Sequence, residues 1–193
     1  HAHVELLSNI HHVHGRQYPY EGRQDLVFIG GYGHPPNADA IHWIADKLAP
    51  LLHAAFPDMR VHILGDLPES LRASLQRPGV DIHGRVEDLT PWLDHCLASL
   101  APLRFGAGVK GKINMAMSFG LPVIATDIAI EGMQLRHDEN VLVANQPTDM
   151  IEAIRRLASD ENLWLRLSDA GLENVREHFS PAAARETLRK VLG

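Results

Sequence analysis

From Asp25 onward the 193-residue chain alternates short apolar runs with longer amphipathic ones, and few folds accommodate that pattern. The runs 26–30 (LVFIG), 60–65 (RVHILG), 80–84 (VDIHG), 97–103 (LASLAPL), 121–126 (LPVIAT) and 140–144 (NVLVA) have strand length and are apolar on both faces. Helical spacing fills the intervals: 36–56, where Pro50 is expected to end or kink the helix, then 68–76, 89–96 and about Val109 to Phe119. After the last strand, 147–159, 161–178 and 181–192 are all helical in pattern. Six two-sided apolar strands alternating with helices require a parallel sheet covered on both faces, a doubly wound, Rossmann-like α/β domain. Such sheets bind ligands outside the carboxyl ends of their strands, so the loops 30–37, 65–68, 84–88, 103–110 and 126–133 are the segments to read for function.

Composition removes several alternatives. A net charge of −6, a pI near 6.1 and the lack of any dense Lys/Arg tract exclude the electrostatic footprint of a nucleic-acid binder. No apolar run approaches the roughly 20 residues that span a bilayer, and no signal-peptide pattern opens the sequence, so a cytoplasmic protein is expected. The one cysteine, Cys96, follows Trp92 and Leu93 and is expected to be a buried, inert thiol at a helix end. Residues 1–23 are polar, lack an initiator Met and show no sustained periodicity. They are expected to be a linker or remnant that packs little, leaving 24–193 as the domain. His1, His3, His11, His12 and His14 fall in this opening, with no carboxylate or thiolate at regular spacing to make a metal site of them.

The most informative loop is PLRFGAGVKGKI, 102–113. Gly106, Gly108 and Gly111 fit G-x-G-x-x-G between a strand and a helix, and Asp127 ends the next strand; an NAD-binding domain is one reading. The fingerprint normally opens its domain, however, and here about 80 residues of alternating structure precede it. Gly106 to Lys112 also fits the start of a P-loop, but Ile113 stands where a hydroxyl must hold Mg²⁺. Both patterns share glycines that let backbone approach a ligand, helix N-terminal N–H groups, and the cations Lys110 and Lys112, which together suit an anion.

FIGGYGHPPNADAIHWI, VHILGD, PGVDIHGRVEDLTPWLDHCLASLAPLRFGAGVKGKINMAMSFGLPVIATDIAIEGM and NVLVANQPTDMIEAIRRLASDENLWLRLSDAGLENVREHFS occur in that order. Together they resemble the C-terminal, donor-binding domain of GT-B glycosyltransferases of the group 1, family-4-like type, over nearly everything from Asp25 onward. The resemblance implies a nucleoside-diphosphate-sugar donor as substrate and no further cofactor. It implies retaining transfer with no metal in the donor site, and a separate N-terminal domain that binds the acceptor and would carry any peripheral membrane association.

Carried over by position, Gly30, Gly31, Gly33 and His34 match a loop whose backbone lies near the donor phosphates and sugar. Gly84, Arg85 and Val86 match the loop that cradles the base. Gly106, Gly108, Val109, Lys110 and Gly111 are expected at the diphosphate, with Lys110 in the first turn of the helix and in contact with it. Thr126 and Glu131 match a loop that approaches the nucleotide. The family's two glutamates, seven residues apart, fall on Ala107 and Met115, so both carboxylates are absent. That departure leaves open a variant way of holding the donor or a non-catalytic module of the same fold.

Overall fold

The computed structural model describes residues 9–192. In chain order it runs β1 (Gln24–Ile29), α1 (Pro35–Trp43), a π-helical turn (Ile44–Leu48), α2 (Ala49–Ala55), β2 (Val61–Leu64), α3 (Glu69–Leu75), β3 (Val80–Gly84) and α4 (Thr90–His95). It continues with β4 (Cys96–Ala101), α5 (Gly111–Ser118), β5 (Val123–Ala125), α6 (Asp127–Ile130), β6 (Leu142–Val143), α7 (Pro147–Ser159), α8 (Glu161–His178) and α9 (Pro181–Leu192).

All six strands pair in parallel, in the order β3-β2-β1-β4-β5-β6. The chain winds outward from β1 in one direction and, after crossing over, from β4 in the other, so the topological switch lies between those two strands. Helices cover both faces, which is why Leu26, Val27 and Phe28 are all fully buried and β4 is buried along its whole length.

Three local expectations change. Pro50 does not stop the helix: the π-helical turn before it lets the chain pass the missing N–H, and Ala49 donates to Ile44 O. Cys96 begins β4 rather than ending a helix; burial pushes its thiol up to about 12. Strands β5 and β6 are shorter than their apolar runs, whose flanking residues instead bury hydrophobic side chains beside the sheet.

The expectation that residues 1–23 pack little fails for 9–23; residues 1–8 lie outside the described region. His11 N donates to Phe179 O (2.7 Å), His14 N and Gly15 N to Ser118 O (2.8 and 2.9 Å), and the Tyr20 hydroxyl to Ala158 O (2.8 Å). These acceptors lie at or next to the C-termini of α8, α5 and α7, where helices leave carbonyls without partners. The His14 ring stacks on Phe119 at 4.2 Å, and Arg16 reaches Ser168 and Asp169, both at 2.7 Å. A segment that binds through backbone and polar groups along an extended path needs no apolar periodicity, so its sequence looks like a linker.

Candidate functional site

Two glycine-rich loops flank the switch point at the carboxyl edge of the sheet, one after β1 and one after β4. The β1 loop is drawn tight. Gly30 N donates to Leu64 O (2.8 Å) and Tyr32 N to Asp66 O (2.7 Å). A Cβ on Gly30 would lie 2.7 Å from Asn37 Cγ and 2.8 Å from Lys112 Nζ, so only glycine lets those two side chains meet beneath the loop. The β4 loop leans on the start of α1: Gly106, at φ +112°, would place a Cβ 3.0 Å from Pro36. Arg104 ties the same loop to α1 through an ion pair with Asp39 (Nε to Oδ2, 2.8 Å).

Lys112 reaches beneath the Gly30 loop. Its ammonium lies 4.4 Å above the centroid of the fully buried Phe28 ring and donates to Asn37 Oδ1. Asn37, itself buried, donates in turn to Gly31 O at 3.1 Å. Among the described residues no carboxylate lies within ion-pair distance of Lys112. Loss of solvent first, then the nearby charge of Lys110, brings it down to about 7 from 10.5. It also sits in the first turn of α5, where the helix dipole disfavours a cation. A desolvated cation at the wrong end of a helix, held by one neutral oxygen, suits an arriving anion.

Lys110 is placed differently from the expectation. Helix α5 begins at Gly111, so Lys110 is its N-cap, with extended backbone. Its Nζ turns back onto its own loop, donating to Gly106 O (3.0 Å) and Gly108 O (2.5 Å). Burial lowers its affinity for a proton, and Glu131, exposed just after α6, opposes that.

Of the glycines expected at the ligand, Gly30 thus lies over Lys112 and Gly106 over Pro36, while Gly31 lies beside Asp66 and Gly111 beside Asn9 and His11 of the opening segment. Val109 and Met115 pack against the core instead. Thr126 is buried and its hydroxyl is occupied, donating to Leu103 O and accepting from Ala129 N (3.2 Å) as the cap of α6. Gly84 and Arg85 line a separate pocket of about 570 Å³ with Gly33, Asp66, Arg72 and His83; Val86 follows, half-buried. Sequence reading noted Lys112 only as one of two loop cations and did not single out Asn37 or His83. The available signal was a lysine on a helix whose next residues, Ile113, Ala116 and Met117, are apolar at helical spacing.

Among the described residues no three His, Cys, Asp or Glu side chains are grouped to hold a metal ion, and no helix is long and apolar enough to cross a membrane.

A six-stranded parallel α/β sheet covered by helices and crossing over between β1 and β4 belongs to the broad class of Rossmann-like folds. More narrowly, residues 23–160 match the model of the glycosyl transferases group 1 family, and the chain belongs to that family. The fold is that of GT-B glycosyltransferases. S. aureus TarM, in a variant complexed with fondaparinux, α-GlcNAc-glycerol and UDP, superposes with a TM-score of 0.76 at 17% identity, over 96% of this chain and 38% of TarM. Anabaena HepE in complex with UDP gives 0.72 at 13% identity, over 90% of this chain and 49% of HepE. The C-terminal domain of a Francisella tularensis group 1 protein, LpcC, gives 0.63 at 15% identity, over 86% of this chain and 97% of that domain. An uncharacterized 44.6 kDa protein from the cps region of Klebsiella pneumoniae is 26% identical over 130 residues, covering 63% of this chain. The match covers 34% of that relative's length.

Proposed function

We propose that this chain is the donor-binding domain of a glycosyltransferase and that a nucleoside-diphosphate sugar binds across the β1–β4 switch, its diphosphate facing Lys112. The observation that carries the reading is the Lys112 ammonium, desolvated beneath the Gly30 loop with Asn37 as its one hydrogen-bond acceptor among the described residues. UDP in the HepE and TarM complexes supports the class of ligand. As sugar transfer breaks the bond to the diphosphate, negative charge builds on the departing oxygen. Lys112 and the free N–H groups of α5 are oriented in advance to stabilise it. The family resemblance extends the proposal to retaining, metal-independent transfer and to an acceptor-binding partner domain. The missing glutamate pair makes Lys112 and the glycine loops the main holders of the donor.

Calorimetric titration with UDP, GDP, ADP and NAD tests this. One nucleoside diphosphate should bind, NAD should not, and Lys112→Met should weaken the diphosphate about 10- to 100-fold while leaving the uncharged nucleoside unchanged. Binding of NAD alone, or of none of the four, would sink the proposal. The second result would favour a non-catalytic module, the reading that the loss of both glutamates motivates.

A further inference from the structure

A line of polar side chains crosses the first three strands and ends at the pocket beside Gly84. His62 Nε2 lies 3.2 Å from Asp25 Oδ2, and His62 Nδ1 lies 3.0 Å from His83 Nε2. Asp81, opposite His62 in the strand register, is engaged by Arg60 and stays 3.8 Å from His62 Nδ1. The second oxygen of Asp25 accepts from Arg60 N at 2.8 Å. His83 lines the 570 Å³ pocket, its ring set edge-on to Trp92 at 5.1 Å, and no protein group among the described residues bonds its Nδ1.

Proton counting orients this line. A carboxylate only accepts, so His62 Nε2 must carry the hydrogen that points at Asp25. A neutral imidazole then has a lone pair on Nδ1, so His83 Nε2 must donate to it, and a neutral His83 is left with a lone pair on Nδ1. The pocket stands two strand spacings from the Lys112 crevice, about 10 Å, a span suited to a ribose and base. Its wall includes Gly33, from the loop that also borders the crevice.

We infer that His83 reads the base of the bound nucleotide, with Asp25 and His62 fixing its Nδ1 as an acceptor, and so favours bases with a ring N–H, uracil or guanine, over cytosine or adenine. The inference rests on the donor-binding reading above. Cytosine and adenine present a ring-nitrogen lone pair at the corresponding edge, and lone pair against lone pair leaves two acceptors facing each other with no hydrogen between them. A proton on His62 reverses the line: His62 Nδ1 then donates to His83 Nε2, and His83 Nδ1 becomes the donor. The charged groups facing the pair are Asp25 from β1, Arg60 beside β2, Asp81 from β3 and Arg72 from α3, with Asp66 and Arg85 from the loops after β2 and β3 in the same pocket, while α4 presents Trp92. Burial, then His62 itself, disfavours a proton on His83.

The test is calorimetric titration of the whole chain with UDP, CDP, GDP, ADP and inorganic diphosphate. Wild type should prefer UDP to CDP, or GDP to ADP, by roughly tenfold. His83→Leu should bring the ratio near one, and Asp25→Asn, whose amide nitrogen would donate to His62 Nε2 and reverse the line, should bring it to one or below, while diphosphate binding stays unchanged; Asn tolerates the positive φ of 61° at Asp25. Imidazole ¹⁵N shifts should show His83 Nδ1 without hydrogen near neutral pH. A preference for CDP or ADP, a ratio that survives both substitutions, or a protonated Nδ1 would overturn the inference alone. Absence of any diphosphate binding by wild type would overturn the donor reading with it.

Discussion

Two desolvated cations stand at opposite edges of the same sheet, and they are held in opposite ways. Arg23, entering β1 at the amino edge, lies 4.7 Å over the Trp164 ring and donates to Pro19 O (3.0 Å), Cys96 O (3.0 Å) and Tyr18 O (3.2 Å). Burial lowers it only to about 10, with the Asp94 carboxylate opposing the shift, so it remains charged at any ordinary pH. Lys112, at the carboxyl edge, has the Phe28 ring and one amide oxygen, and falls to about 7. Arg23's carbonyls make it a clasp between the opening segment, β4 and α8. Lys112, with one acceptor among the described residues, is the cation that the proposed donor site uses. Burial alone does not distinguish the two cations; the count of hydrogen-bond acceptors does.

The comparison breaks if the two edges respond alike to removal of charge. Arg23→Leu should lower stability by about 3 kcal/mol, because it strips the donor from several carbonyls and leaves Asp94 buried without its cation. Urea unfolding should show the midpoint falling, with nucleotide affinity of the folded protein nearly unchanged. Lys112→Met should do the reverse, keeping the midpoint or raising it by about 1 kcal/mol while affinity is lost. An Arg23 variant as stable as wild type would show that the clasp is ornamental.

The same distinction explains which parts could be read from sequence. Strand and helix alternation is a local, periodic signal, and it led directly to the parallel sheet and to the loops at its carboxyl edge. The environment of Lys112 is not local: Phe28 lies on β1, and Asn37 lies 75 positions away on α1. Two lysines separated by a single glycine therefore look equivalent as sequence and differ as structure. The packing of 9–23 escaped for a related reason, since its donors answer helix-end carbonyls dispersed over α5, α7 and α8. Thr126 stands in the chain where a residue near the nucleotide is expected, and its side chain caps α6, a role that depends on the helix that follows.

A pH titration sharpens the contrast at the Lys112 end. Its folded value lies below that of the unfolded chain, so the cost of burying its charge is fully present below about pH 7 and is relieved as pH rises towards 10.5. Stability should therefore gain from this group over that window. Anion binding runs the other way, because only the charged form attracts a diphosphate. Affinity for a nucleotide sugar, whose esterified diphosphate does not itself titrate near neutrality, should fall by roughly tenfold from pH 7 to 9. Lys112→Met should flatten the curve, and an equally steep curve in that variant would assign the titration to another group.

The smallest effect is expected at Lys110, where the sequence pointed most strongly. Its ammonium already has two carbonyl acceptors in its own loop, so its work is to hold Gly106 and Gly108, both at positive φ, in the shape that borders the crevice. Removing it returns conformational freedom to a short glycine loop, an entropy shared by every ligand that must order the loop again. Lys110→Ala should weaken nucleotide-sugar and nucleoside binding to a similar extent, by about two- to fivefold, with faster dissociation in stopped-flow measurements. If Lys110→Ala costs as much as Lys112→Met and spares the nucleoside, the ammonium leaves its loop to meet the diphosphate, and the difference between the two lysines disappears when ligand binds.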